Sequence, residues 1–125
     1  MSSFLKNKFY NVSDSSLNDN RITATVNINS AHPVFKGHFP QMPVVPGVCQ
    51  VQMIKELLEE NTGTSTMMVS GDNIKFTGMI LPDKSPVVNV EINFTKTENI
   101  YVTDAKLFFG EQIFTKYKGK FKILS

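Results

Sequence analysis

Alternation of apolar and polar residues is the clearest signal in the chain. In "RITATVNINS", Ile22, Ala24, Val26 and Ile28 fall on one side and Arg21, Thr23, Thr25 and Asn27 on the other, which predicts a half-buried strand. A short strand over residues 9–12 precedes it, with "SDSSLNDN" as the turn. The period of two returns in the second half. "TMMVSGDNIKF" predicts a strand with an irregularity at Ser70-Gly71, followed by the loop "TGMILPDKSP". "VVNVEINF" turns Val88, Val90, Ile92 and Phe94 inward. "NIYVTDAKLFF" and "QIFTKYKGKFKIL" predict a hairpin about Gly110-Glu111. On the last strand Ile113, Tyr117, Phe121 and Ile123 share one face, and Lys116, Lys118, Lys120 and Lys122 form a solvated row on the other.

Between the two strand regions the period changes. Pro33, Pro40, Pro43 and Pro46 remove backbone donors and fix φ, so residues 31–47 form a stiff loop. Its apolar content (Val34, Phe35, Phe39, Met42, Val44 and Val45) predicts that it folds against the core. From Pro46 to about Asn61 the spacing is helical. Val51, Ile54 and Leu58 make an apolar stripe, widened by Val48, Met53 and Leu57. Lys55, Glu56, Glu59 and Glu60 populate the opposite side, and Gly63 supplies a C-terminal cap. A single helix of about four turns cannot cover both faces of six strands. The economical architecture is α+β: one domain over residues 1–125, with a curved six-stranded antiparallel sheet wrapped around one central helix.

Composition narrows the functional classes. The chain has 125 residues, 41% of them hydrophobic and 19% charged, which is enough for a modest core and favours oligomerisation. A net charge of +2 and the lack of a dense basic cluster with interleaved aromatics exclude nucleic-acid binding. No apolar run reaches the roughly 18 residues of a membrane span, and the start has no secretion-type apolar stretch. With one cysteine, Cys49, no internal disulfide forms; the expected compartment is the cytoplasm. Cys49 reads as a small buried hydrophobe.

Candidate chemistry is sparse. The two histidines, His32 and His38, are loop residues without a nearby acidic cluster, so no metal site is expected. The informative stretch is "GHFPQMPVVPGV". Gly37, His38, Phe39, Pro40, Pro43, Pro46, Gly47 and Val48 reproduce, without a gap, a signature that resembles the 3-hydroxyacyl-acyl carrier protein dehydratases, the FabZ/FabA group of hot-dog proteins. "GDNIKFTGMILPDKSPVVNVEI" is similar to a second segment of that family through Asp72, Phe76 and Pro82-Asp83, although the glycine between the last two is absent.

The resemblance implies the hot-dog fold and removal of water from a 3-hydroxyacyl thioester in fatty-acid or polyketide-type metabolism. That reaction needs a base for the α-proton, an acid for the departing hydroxyl and donors facing the thioester oxygen. By position, His38 is the expected base, with its second ring nitrogen held by the carbonyl of Val44. The N–H of Gly47, at a helix start, faces the thioester oxygen. Val48 and Phe39 complete the substrate contacts. His32 has no role in the pattern and reads as structural. Phe35, Phe39, Met53, Met67, Met68 and Phe76 are candidates to line an acyl tunnel, with ordinary core the simpler reading of each. No bound cofactor is implied, because the substrate rides on the phosphopantetheine of acyl carrier protein or on coenzyme A. The family arrangement, with histidine and acid on different subunits, implies a homodimer or higher homo-oligomer, with residues 67–76 at the interface, or a heteromer with another hot-dog chain. Lys36, Lys75 and Lys84 are expected near the mouth, where an acidic carrier could meet them.

One departure bears on mechanism. Fourteen residues after His38, where the family has Glu or Asp, this chain has Gln52; four residues further, where the family commonly has Gln, it has Glu56. An amide holds a hydroxyl or water but delivers no proton. The exchange leaves several readings open. Glu56 acts through Gln52 or a water, or it begins the solvated stripe with Glu59 and Glu60. The chain is an impaired acyl-thioester-binding subunit that pairs with an active paralogue. Or it is a hot-dog thioesterase that uses Glu56 to activate water.

Overall fold

The computed structural model describes residues 5–36, 43–84 and 86–125. Six strands form one antiparallel sheet: β1 (Tyr10–Asn18), β2 (Arg21–Ile28), β3 (Thr66–Phe76), β4 (Val87–Thr97), β5 (Ile100–Phe109) and β6 (Gln112–Ile123), in the order β1-β2-β4-β5-β6-β3. A 3₁₀ turn (Pro33–Phe35) and one helix, α1 (Gly47–Thr62), lie between β2 and β3. The inward rows of β2, β4, β5 and β6 close around Met53, Ile54, Leu57 and Leu58 of α1, all fully buried. This is the hot-dog architecture, and the inward positions of β2 and β4 are those that the alternation assigns.

The helix boundaries follow from its end residues. Pro46 is the N-cap rather than a first-turn residue; its extended backbone leaves its carbonyl to accept from Cys49 (3.1 Å) and Gln50 (3.2 Å). Gly63, at φ 70°, takes the left-handed conformation that ends the helix, and its N–H donates to the Glu59 carbonyl. β3 is irregular where expected, with register shifts between Met68 and Ser70 and between Ser70 and Asn73.

Several expectations are corrected. The first strand does not stop at Val12. It continues through "SDSSLN", and the turn is Asp19-Asn20, both at positive φ, as a two-residue hairpin turn requires. β1 is an edge strand whose outer half is exposed, so no buried face imposes alternation on it. Val48 does not widen the apolar stripe of α1 and is 77% exposed. Glu56 and Glu59 are not solvated: both are buried, because other segments of the chain pack over them. Met67, Met68 and Phe76 are not core but exposed on the edge strand β3, whereas Phe35 and Met53 are core.

Opposite the β3 irregularity, Gly119 permits a close approach. A Cβ there would overlap the Tyr117 hydroxyl and stand 2.5 Å from the Ser70 carbonyl oxygen. Backbone cannot yield as a flexible side chain does. Gly119→Ala is therefore expected to cost about 2–3 kcal/mol, read as a fall in the denaturation midpoint.

Candidate active site

The approach to the helix is pinned from two sides. The Val45 N–H donates to the Ile80 carbonyl at 2.9 Å. The Val45 carbonyl accepts from Gln50 Nε2 at 3.2 Å, and Gln50 Oε1 accepts from the Thr115 hydroxyl of β6. Gln50 is thus a buried bracket between loop, helix and sheet. Sequence reasoning missed it, because its partners are a loop carbonyl and a hydroxyl on the last strand.

This bracket sets the position of the helix start. The Gly47 and Val48 N–H groups precede every intrahelical acceptor, and among the described residues no side chain caps the helix start. The Phe76 ring of β3 lies over Gly47, where an added Cβ would meet its Cζ at 2.7 Å. Gly47 therefore has a packing reason as well as an electronic one: its N–H sits at the positive end of the helix dipole, and its missing side chain admits the ring.

Down one face of α1 the residues Val48, Gln52 and Glu56 follow at i, i+4 and i+8, and they become progressively more buried. Val48 is exposed, Gln52 half-buried and Glu56 only 1% exposed. The exchanged pair is hydrogen-bonded, Gln52 Nε2 donating to Glu56 Oε2 at 2.9 Å. The carboxylate also accepts from the N–H of Leu5 (3.0 Å), the N–H of Lys6 (3.0 Å) and the Tyr10 hydroxyl (3.0 Å). Lys6 Nζ pairs with Glu60 close by. Burial, and then the Glu56 charge and hydrogen bond, push the Tyr10 phenol well above its ordinary range, so it remains a neutral donor. No spacing rule announces this cluster, because two of its donors are backbone groups some fifty residues away in the chain. Glu59 is similarly engaged, accepting from the Thr66 N–H (2.6 Å), the Thr66 hydroxyl (3.1 Å) and Lys55 (3.3 Å).

The remaining candidates fall as follows. His38 and Phe39 lie outside the described residues. Val44 is half-buried in the segment that leads into α1. His32 Nδ1 accepts from the Val34 N–H at 3.1 Å, and its ring meets Phe9 edge-on at 5.3 Å, a structural role. Cys49 packs against the core, and burial raises its thiol pKa, which makes it a poor nucleophile. Lys75 is on the sheet's outer face, in register with Lys116, rather than beside Phe76. Among the described residues there is no cluster of three potential metal ligands, and no helix is long and apolar enough to cross a membrane.

A hot-dog domain whose helix start lies beside the exposed edge strand β3 places the chain in the hot-dog fold class. Within that class the chain belongs to the ApeI-like dehydratase family, whose model matches residues 14–111. It is 28% identical over 111 residues to the 3-hydroxyacyl-[acyl-carrier-protein] dehydratase FabZ of Clostridioides difficile, a match covering 83% of this chain and 78% of that protein. It is 34% identical over 98 residues to the FabZ of Streptococcus mutans, covering 72% and 69%. In fold it resembles a chain of the dehydratase heterocomplex ApeI:P from Xenorhabdus doucetiae, with a TM-score of 0.73, 18% identity and coverage of 89% of this chain and 96% of that one.

Proposed function

We propose that the chain is the base-supplying subunit of a dehydratase that acts on 3-hydroxyacyl thioesters, with the acid supplied by a second hot-dog chain. The observation that carries this reading is the bond from Gln52 to Glu56. Gln52 occupies the acid's place in the family pattern and has no proton to give. Glu56 does have a carboxyl, but it sits beneath residues 5–10, and among the described residues four hydrogen-bond donors are directed at it. That burial weighs against a proton relay through Gln52, and equally against a thioesterase in which Glu56 activates water.

The family arrangement builds each site from two chains, with the histidine of one facing the helix acid of the other. In a heteromer, His38 and the Gly47 helix start of this chain would then face the partner's carboxylic acid. His38 takes the α-proton, the thioester oxygen gains negative charge beside the Gly47 N–H, and the partner's acid protonates the departing hydroxyl. The reciprocal site, which holds Gln52, binds without turning over. Exposed Met67, Met68, Val69 and Phe76 on β3 give the second chain an apolar edge to cover. The substrate arm is a phosphopantetheine, on acyl carrier protein or coenzyme A. The heterocomplex among the structural relatives agrees with a two-chain enzyme.

The test is reconstitution with a hot-dog dehydratase chain that carries Glu or Asp at the position equivalent to Gln52. In that complex His38→Ala of this chain abolishes hydration of a short enoyl thioester, whereas Gln52→Ala leaves the rate unchanged. Activity that survives His38→Ala, or falls with Gln52→Ala, overturns the assignment.

A further inference from the structure

The outer face of the sheet carries a feature unrelated to the thioester site. Two cross-strand rows lie side by side there. One runs Lys75, Lys116, Lys106, Glu91 across β3, β6, β5 and β4, and the next runs Asn73, Lys118, Asp104, Asn93. Together they line a trough of about 470 Å³, within the size range of small-molecule sites.

The charges in these rows are unequally matched. Lys106 pairs with Glu91 at 3.4 Å and lies over the Phe108 ring, and Lys118 reaches Asp104 at 4.0 Å. Glu91 is also held by Arg21. Lys75 and Lys116 stand directly opposite one another, and among the described residues neither has an ion-pair partner. Lys116 also faces Lys106 on its other side. Like charges in directly opposed cross-strand positions destabilise a sheet, whereas Lys106–Glu91 and Lys118–Asp104 follow the favourable rule of opposite charge. A bound anion between the two ammonium groups removes that repulsion. The convergence of lysines is also local. Further along β6, Lys120 faces Val102, and Lys122 faces Ile100 and Met67, so the basic character continues on one strand only. This favours a compact ligand over a long acidic protein surface.

We propose that this trough binds a small phosphate-bearing molecule, with Lys75 and Lys116 clamping one phosphate group and the amides of Asn73 and Asn93 offering further donors.

The test is titration of the whole protein with inorganic pyrophosphate at constant ionic strength, followed by backbone amide NMR shifts. Saturable shifts centred on residues 73–75, 104–106 and 116–118 are expected. Lys75→Gln and Lys116→Gln should each weaken binding about tenfold, the worth of one charge-assisted contact. Lys120→Gln, on the same face but outside the trough, should leave affinity unchanged. Absence of saturation overturns the proposal, as does equal weakening by Lys120→Gln, which would indicate diffuse charge. A polyglutamate peptide that displaces pyrophosphate and binds more tightly also overturns it, in favour of an acidic protein partner.

Discussion

Gln52→Glu should turn the chain alone into a working dehydratase, with turnover of 3-hydroxyacyl thioesters rising about 10²- to 10⁴-fold, the usual contribution of a general acid. The argument rests on where the new carboxyl would stand. Gln52 Nε2 is 2.9 Å from Glu56 Oε2, so the introduced group would face an existing carboxyl at hydrogen-bond distance. Two carboxyls that close do not both ionise, and the pair retains one proton well above the ordinary carboxyl range. The surroundings decide which group keeps it. Glu56 is held as an acceptor by Leu5, Lys6 and Tyr10, so the proton resides on the introduced carboxyl, the more exposed of the two. A protonated carboxyl near neutral pH is what the departing hydroxyl requires. The rate of the variant should therefore fall on the alkaline side as that proton is lost, a limb that the parent protein does not show. Steady-state assays across pH read both features.

Glu56→Ala should cost about 3 kcal/mol and about 10 °C of Tm, as much as truncating a core leucine. It removes no large apolar volume. It strands the Tyr10 hydroxyl in the core and unties the Leu5 and Lys6 N–H groups that hold residues 5–10 over the last turns of α1. Calorimetry gives the loss of stability, and amide hydrogen exchange at residues 5–10 locates it. A variant that melts with the parent and keeps those amides protected would show that the carboxylate does not anchor the segment.

The two halves of the molecule differ in how openly the sequence declares them. β2 and β4 are legible because each has one face against the helix and one toward solvent, so a period of two is forced on them. The helix is legible from Pro46 and Gly63, whose conformational limits mark its ends. β1 is not, because its outer half is exposed on both faces and is kept extended by backbone pairing with β2 and serine hydrogen bonds rather than by burial. Met67, Met68 and Phe76 look like core because hydrophobicity does not reveal which chain supplies the cover.

At the site, the Gly47 helix start and the Gln52–Glu56 bond are legible from motif and spacing. The burial of Glu56 is not. It depends on residues 5–10 crossing a distant helix face, a tertiary event without local signature, and an acidic residue between Lys55 and Glu60 reads as solvated until that segment is placed. Gln50 was equally hidden, since its partners are a loop carbonyl and a hydroxyl on the last strand. The assignment of His38 as base rests on the "GHFP" signature.

The most direct test of the account is the turnover of a 3-hydroxyacyl thioester by the purified chain as its only polypeptide, measured beside Gln52→Glu. Background turnover by the parent and robust turnover by the variant are the predicted result. Robust turnover by the parent alone would contradict it, because an acid would then have to come from this chain itself.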